Sequence, residues 1–227
     1  MKRLAVTLPA TFDFAPWRTR MASRPELEQL ADLVARAVIV LLFSMMAVRF
    51  AGDFLATGRV TGLLLLVSEA LVVVLTVVRR SAATIDRSAR ARLLTMLSMF
   101  GPPLLQPADV AALLPQSLTV AASAVGLAIV IAGKVTLGRS FGLMPANRGV
   151  VSSGVYRFVR HPIYLGYLIT HVAFLVATPS AWNIAALFAA DTALLARAVC
   201  EEKTLSRDER YRTYQQAVRW RVCPGVF

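Results

Sequence analysis

The chain has 227 residues, 57% hydrophobic and 17% charged, and carries a formal net charge of +12. A soluble domain is closer to half apolar with about a quarter of its residues charged, so a mean hydropathy of +0.61 points to a polytopic helical membrane protein. The positive charge fits membrane topology and gives no reason to invoke nucleic acid. Cys200 and Cys223 are too few for a disulfide framework and lack metal-ligand spacing.

Residues 1–32 read as a polar, basic lead-in, cytoplasmic or interfacial. The apolar run after Lys2-Arg3 is short and interrupted by Pro9, which argues against a signal peptide. Ser23-Arg24-Pro25-Glu26 has the form of a helix start, with Ser23 or Arg24 at the cap and proline in the first turn. A short interfacial helix there would lead into the first span. Residues 33–137 then form an N-terminal membrane region. Its first two spans are expected at 33–50 and 60–78. Arg36 and Arg49 lie near the ends of the first, where long side chains can snorkel. Glu69 sits near the middle of the second. A carboxylate at that depth costs energy unless it is paired, protonated or facing a wet cavity, so Glu69 is a candidate substrate-site residue. A buried hydrogen bond to a neighbouring helix is the structural alternative. The apolar run at 93–114 is interrupted by Gly101-Pro102-Pro103 and Pro107, which predicts a short or bent span and then a loop containing Asp109. The run at 118–137 carries Ala122, Gly126 and Gly133, small residues that let a neighbouring helix approach.

Residues 138–227 differ in character. A Gly- and Arg-rich connection, 138–160, precedes Arg160-His161-Pro162-Ile163-Tyr164-Leu165-Gly166. Apolar sequence then runs to Glu201-Glu202, broken near its midpoint by Thr178-Pro179-Ser180. That pattern predicts a helical hairpin with a turn near 178–182 and arms of about 25–30 Å. Reflecting the chain about Ala181 sets His161 opposite Glu201 and His171 opposite Asp191. The tail 203–227, with Tyr211, Tyr214 and Trp220, predicts a surface helix ending before Pro224. Lys and Arg concentrate in the lead-in, at 79–92, at 134–160 and in the tail. About six crossings would put all four segments on one side, with both termini cytoplasmic. The expected fold is therefore all-α: a polytopic transmembrane bundle of about six spans whose C-terminal hairpin encloses a site.

Pro162 suits the first turn of a helix and places His161 at its cap. Free N–H groups, the helix dipole and Arg160 would together seat an anion. Plain capping, with Arg160 held by lipid headgroups, is the structural alternative. Glu201 and Glu202 oppose their own helix dipole by up to about 1 kcal/mol, which Arg197, Lys203 and Arg207 could offset. The hairpin register sets these acids beside Arg160 and His161. Acidic and basic clusters in one place match a ligand with a cationic and an anionic end. His171 and Asp191 would meet at mid-membrane depth, either to lock the hairpin or to move a proton.

From Leu137 onward the chain contains Leu137-Gly138-Arg139-Ser140-Phe141, Ser153-Gly154-Val155-Tyr156-Arg157, the Arg160–Gly166 element, Glu201-Glu202 with Leu205, and Tyr211 and Tyr214 before Arg221 and Pro224. In this order the set resembles the isoprenylcysteine carboxyl methyltransferase family and its bacterial and phospholipid N-methyltransferase relatives. The likeness implies a membrane bundle whose C-terminal half holds S-adenosylmethionine at the cytosolic surface. It implies that His161, Pro162, Tyr164 and Gly166 line the cofactor pocket, that Glu201 and Glu202 close it, and that Tyr211 and Tyr214 cover it. Arg160, His161 and Glu201 are the candidate catalytic residues; Glu69, His171 and Asp191 are the candidates for substrate contact. No metal is expected. Ser206-Arg207-Asp208-Glu209-Arg210 stands where the family usually has an aromatic-glycine pair. A Gly-x-Gly-x-x-Gly motif after a strand is missing from the sequence, so a Rossmann methyltransferase is not expected.

The implied reaction is methyl transfer to a lipophilic acceptor entering from the bilayer: a prenylcysteine-like carboxylate, a lipid amine, or a small apolar thiol or acid. A carboxylate acceptor needs no base, whereas a thiol or amine needs one, for which His161, Glu69 and Asp191 are candidates. An NADPH-dependent sterol-type reductase shares a related C-terminal architecture but is usually longer. A non-catalytic membrane scaffold is the other alternative. The expected location is a membrane, the bacterial inner membrane, with several passes.

Overall fold

The computed structural model describes residues 25–57, 60–100, 104–106 and 110–227. The helix cap at Ser23-Arg24, Arg59, the Gly101-Pro102-Pro103 break, Pro107 and Asp109 lie outside the described residues. Within them the chain is mostly helical: α1 (Pro25–Thr57), α2 (Val60–Val78), α3 (Ala89–Phe100), α4 (Gln116–Leu137), α5 (Pro162–Ala177), α6 (Ala181–Leu205) and α7 (Glu209–Ala217). Met1–Val38 and Ile39–Phe227 are separate compact units.

Pro25 opens α1, as its place in a first turn predicts. The helix then continues through Thr57, where a short interfacial helix and a separate span were expected. No proline occurs between residues 26 and 57, and Gly52 is the lone glycine, so nothing local stops it. α2 has the predicted limits. α3 is only 12 residues long, about 18 Å at 1.5 Å per residue, which is too short to cross a bilayer. The run at 93–114 was expected to kink or end at Gly101-Pro102-Pro103, and α3 covers its part up to Phe100; further on, Leu113 N donates to Val176 O at 2.9 Å.

Among the described residues, three helices are long and apolar enough to cross a membrane: Arg36–Ala56, Gln116–Ser140 and Ala181–Leu205. The apolar stretches Leu63–Val78 and Pro162–Ala177 are shorter. Helix length therefore supports three crossings among the described residues, where composition suggested about six. Val48, Val74, Val125, Val172 and Phe188 are exposed, as side chains covered by lipid would be.

The most extensive helix contact is between α4 and α5. A Cβ on Gly126 would lie 2.7 Å from Gly166 O, one on Gly166 would lie 2.5 Å from Gly126 O, and one on Gly133 would lie 2.7 Å from Ile163 Cγ1. Gly126 and Gly133 thus do what small residues were expected to do. Packing between α5 and α6 is far sparser, while α2 packs on α4 and α3 on α6. Thr178, Pro179 and Ser180 join α5 to α6, and Ser180 Oγ accepts from Asn183 N at 3.2 Å to cap α6. The fully buried Asn183 exchanges two hydrogen bonds of 3.0 Å with the Gln106 backbone. One departure from an all-helical chain is a short antiparallel ribbon, in which β1 (Thr84–Ile85) pairs with β2 (Ala146–Asn147). Val72, Leu75, Val130, Ile163, Leu194 and Val222 form the buried core.

Candidate active site

Where α5 and α6 stand apart, a cavity of about 980 Å³ is lined by both helices. Phe43 of α1, Glu69 of α2, Phe141 and Tyr156 of the connection, and Tyr211 and Tyr214 of α7 complete its walls.

One polar end of the cavity is built where α5 begins. Pro162 occupies the first helical turn and leaves His161 outside it at φ −126° and ψ 64°, since a residue before proline is kept from the helical region. Extended in this way, the Arg160–His161 backbone pairs with the tail: Arg160 N donates to Trp220 O at 2.9 Å and His161 N to Arg221 O at 2.7 Å. The side chains converge on the end of α6, where the two adjacent glutamates have different surroundings.

Glu202 is saturated. Its Oε1 accepts from Arg160 Nε at 2.8 Å and contacts His161 Nε2 at 3.3 Å; its Oε2 accepts from Arg221 Nε at 2.8 Å and Gln215 Nε2 at 3.3 Å. Arg160 also donates to Val218 O and Arg219 O at 2.8 and 3.1 Å. This ion-pair network, buried at Arg160 and Glu202 and partly exposed at Arg221, fastens the tail to the start of α5. Glu201, by contrast, lines the cavity. Its Oε1 accepts from Tyr164 OH at 2.6 Å and Arg197 Nε at 3.1 Å, while Oε2 has His161 Nδ1 only at 3.7 Å. Arg197 is held in turn by the Leu143 carbonyl. The His161 and Tyr164 rings stack at 5.2 Å, and the Arg197 guanidinium lies 5.5 Å from the Tyr164 ring centre.

Three tyrosines roof this end. Tyr214 OH donates to Tyr156 O at 2.7 Å, and Tyr211 meets Tyr214 edge to face at 5.7 Å. Among the described residues, the buried Tyr211 hydroxyl has no hydrogen-bond partner. Burial above all, with nearby Glu201 for Tyr156 and Glu202 for Tyr211, pushes these phenols well above their ordinary value; burial does the same to Tyr214. They are neutral donors at any physiological pH.

A second polar group lies deeper. His171 is ten residues beyond His161, about 15 Å along the helix, and its Nδ1 lies 2.6 Å from Asp191 Oδ1. The Tyr167 and His171 rings stack at 6.3 Å, and Lys134 Nζ lies 5.9 Å from the Tyr167 ring centre. Lys134 Nζ donates to Ser68 Oγ at 2.7 Å and to Ser68 O at 3.0 Å; Ser68 Oγ donates to Glu69 Oε1 at 3.2 Å.

Of the residues singled out from sequence, Glu69, Arg160, His161, Tyr164, His171, Glu201, Tyr211 and Tyr214 line the cavity. Pro162, Gly166, Asp191 and Glu202 stand outside its lining. Pro162 is fully buried, Gly166 faces α4, Asp191 stands behind His171, and Glu202 is consumed by its network. Lys134 was counted with the cytoplasmic cations and is instead completely buried. A lone Lys inside an otherwise apolar helix was the signal. Tyr167 carried no signal beyond its place on α5.

Residues 117–207 match the family model of the isoprenylcysteine carboxyl methyltransferase (ICMT) family. The matched segment covers α4, the connection, α5 and α6, and it points to a membrane methyltransferase. No curated protein sequence matches the chain.

Proposed function

We propose that this chain is an integral-membrane methyltransferase that uses S-adenosylmethionine and acts on a lipophilic acceptor. The observation that carries this reading is the contrast between two adjacent carboxylates. Glu202 has spent both oxygens on structure, while Glu201 lines a cavity roofed by neutral tyrosines and its Oε2 meets only His161 Nδ1, at 3.7 Å.

The residues present fit the cofactor. Glu201 Oε2 is placed for an ammonium group, with Arg197 and Tyr164 fixing the carboxylate through its other oxygen. The unpartnered Tyr211 hydroxyl would donate to an acceptor atom of the ligand and so be relieved of the cost of burial without a partner. Tyr156, Tyr211 and Tyr214 present aromatic surface for a purine ring. When bound, S-adenosylmethionine supplies a sulfonium methyl group that is already activated toward a nucleophile. The contribution of the chain is then to orient and desolvate. His161, touching both glutamates, acts as a strut between α5 and α6. The apolar walls from Phe43, Met46, Leu65 and Phe174 suit an acyl or prenyl chain arriving from the bilayer.

Titration calorimetry on detergent-purified protein tests the reading. Binding of S-adenosylmethionine in the micromolar range is expected, weakened at least tenfold in Glu201→Gln and lost in His161→Ala, with no binding of NADPH. Binding of NADPH in its place would move the assignment to a reductase. A folded protein that binds neither ligand would contradict any cofactor-dependent reading.

A further inference from the structure

We infer that Arg148 seats the α-carboxylate of the cofactor, the place that the sequence pattern around Pro162 assigned to Arg160. This inference rests on the S-adenosylmethionine reading and adds to it a binding residue that none of the motifs marks.

Among the described residues four arginines line the cavity: Arg49, Arg148, Arg160 and Arg197. Two of them are committed to the protein. Arg160 gives Nε and Nη2 to Glu202 and Nη1 to the carbonyls of Val218 and Arg219. Arg197 gives Nε to Glu201 Oε1 and Nη2 to the Leu143 carbonyl, with Nη1 3.5 Å from Ser98 Oγ. The backbone N–H of His161, at the cap of α5, is used by Arg221 O. The anion seat expected at the start of α5 is therefore filled by the protein's own groups. Arg49 is exposed on α1, where a long side chain can reach the interface.

Arg148 is 8% exposed, and the fold fixes it at both ends. Its carbonyl accepts from Ser140 Oγ at 3.1 Å. Just before it, Ala146 and Asn147 pair with Ile85 and Thr84, and Asn147 Oδ1 accepts from Gly149 N at 2.9 Å. Asn147 Nδ2 donates to Asp208 Oδ2 at 2.9 Å, which ties this turn to the cap of α7 and so to the tyrosine roof. The head of the side chain is placed by a glycine. A Cβ on Gly142 would lie 2.2 Å from Arg148 Nη1 and 2.7 Å from Cζ, so the guanidinium occupies the space of a side chain at 142.

Gly142 also lines the cavity. The next residue, Leu143, supplies the carbonyl that holds Arg197, which in turn holds Glu201. Arg148 and Glu201 thus face the cavity from neighbouring parts of one wall, one positive and one negative. An α-amino acid carries an ammonium and a carboxylate on a single carbon, and this pair matches it. A guanidinium has five N–H donors in a planar fork, so a carboxylate can take two in parallel while the others stay with the protein. Holding both charges fixes the direction in which the sulfonium methyl points.

The test is a binding cycle on the full chain in lipid nanodiscs, run without acceptor. Its ligands are S-adenosylmethionine and the decarboxylated analogue, which keeps the ammonium, the sulfonium and the adenosine. Wild-type protein should bind the analogue at least tenfold more weakly. Arg148→Gln should bind S-adenosylmethionine at least tenfold more weakly than wild type and no longer distinguish the two ligands. Glu201→Gln should weaken both ligands alike, and Arg49→Gln should match wild type with both. Gly142→Ala displaces only the tip of a flexible side chain, so the unfolding temperature should hold while S-adenosylmethionine alone binds more weakly. Equal losses for both ligands in Arg148→Gln would overturn the inference and leave the methyltransferase reading standing. Unchanged cofactor affinity in that variant, with weaker binding of hexadecanoate, would give the arginine to the acceptor and overturn it too. A wild-type chain that binds both ligands equally also overturns it, even if a variant fails to fold. Absence of S-adenosylmethionine binding in the wild-type chain removes both readings.

Discussion

The two sides of α5 are built on opposite principles. Toward α4, Gly126, Gly133 and Gly166 bring backbone and side chains to distances where a single added methyl collides. Toward α6 the helices stand apart, and the gap is spanned by side chains, from Tyr164–Glu201 near one end to His171–Asp191 near the other. The closed side leaves no room for a ligand and needs none. The open side must be bridged by polar groups, and those polar groups become the walls of a site. Even there, the bridges divide into saturated ones that hold the fold and incomplete ones that await a partner.

That division can be broken at its strongest point first. Glu202→Ala leaves Arg160 and Arg221 facing each other without their shared carboxylate, and should destabilise the protein by about 3–5 kcal/mol. Thermal unfolding in detergent measures this; a loss under about 1 kcal/mol would mean that the network is not structural. On the closed side, Gly166→Val should cost about 1–3 kcal/mol, since its Cβ would lie 2.5 Å from Gly126 O. The same substitution should leave cofactor affinity unchanged in the fraction that folds. The smallest effect is expected on the open side. Tyr211→Phe removes a hydroxyl that no described residue uses, so thermal stability should hold or rise slightly, while S-adenosylmethionine affinity should fall about tenfold, the worth of one hydrogen bond. A loss of stability without a loss of affinity would return Tyr211 to the core.

Much of this arrangement follows from local rules that sequence carries. Thr178-Pro179-Ser180 placed the break between α5 and α6, and simple reflection about Ala181 matched His161 with Glu201 and His171 with Asp191, contacts seen at 3.7 and 2.6 Å. Pro162 fixed the start of α5. Other features depended on tertiary context. Glu201 and Glu202 are indistinguishable in sequence, because which one meets Arg221 depends on where the tail returns. Lys134 looked like a topological charge because it lies near the end of an apolar run, yet α2 covers it and Ser68 supplies its partner. Gly166 belongs to a recognisable motif, but its lack of a side chain serves the approach of α4. Apolar composition suggested about six crossings, whereas three helices of spanning length are found among the described residues, α3 covering Ala89–Phe100. The length of α1 was missed for a related reason: a polar lead-in and an apolar span differ in composition without differing in helix continuity.

Photo-cross-linking of S-adenosylmethionine to the membrane-embedded protein, with mapping of the labelled peptides, tests whether the open side of α5 near Glu201 seats the cofactor. Adducts are expected at Tyr156, Tyr164, Tyr211 or Tyr214, competed away by unlabelled cofactor and absent from Glu201→Gln. Competed adducts confined to the outward face of α4, with Glu201→Gln labelled as strongly as wild type, would contradict it.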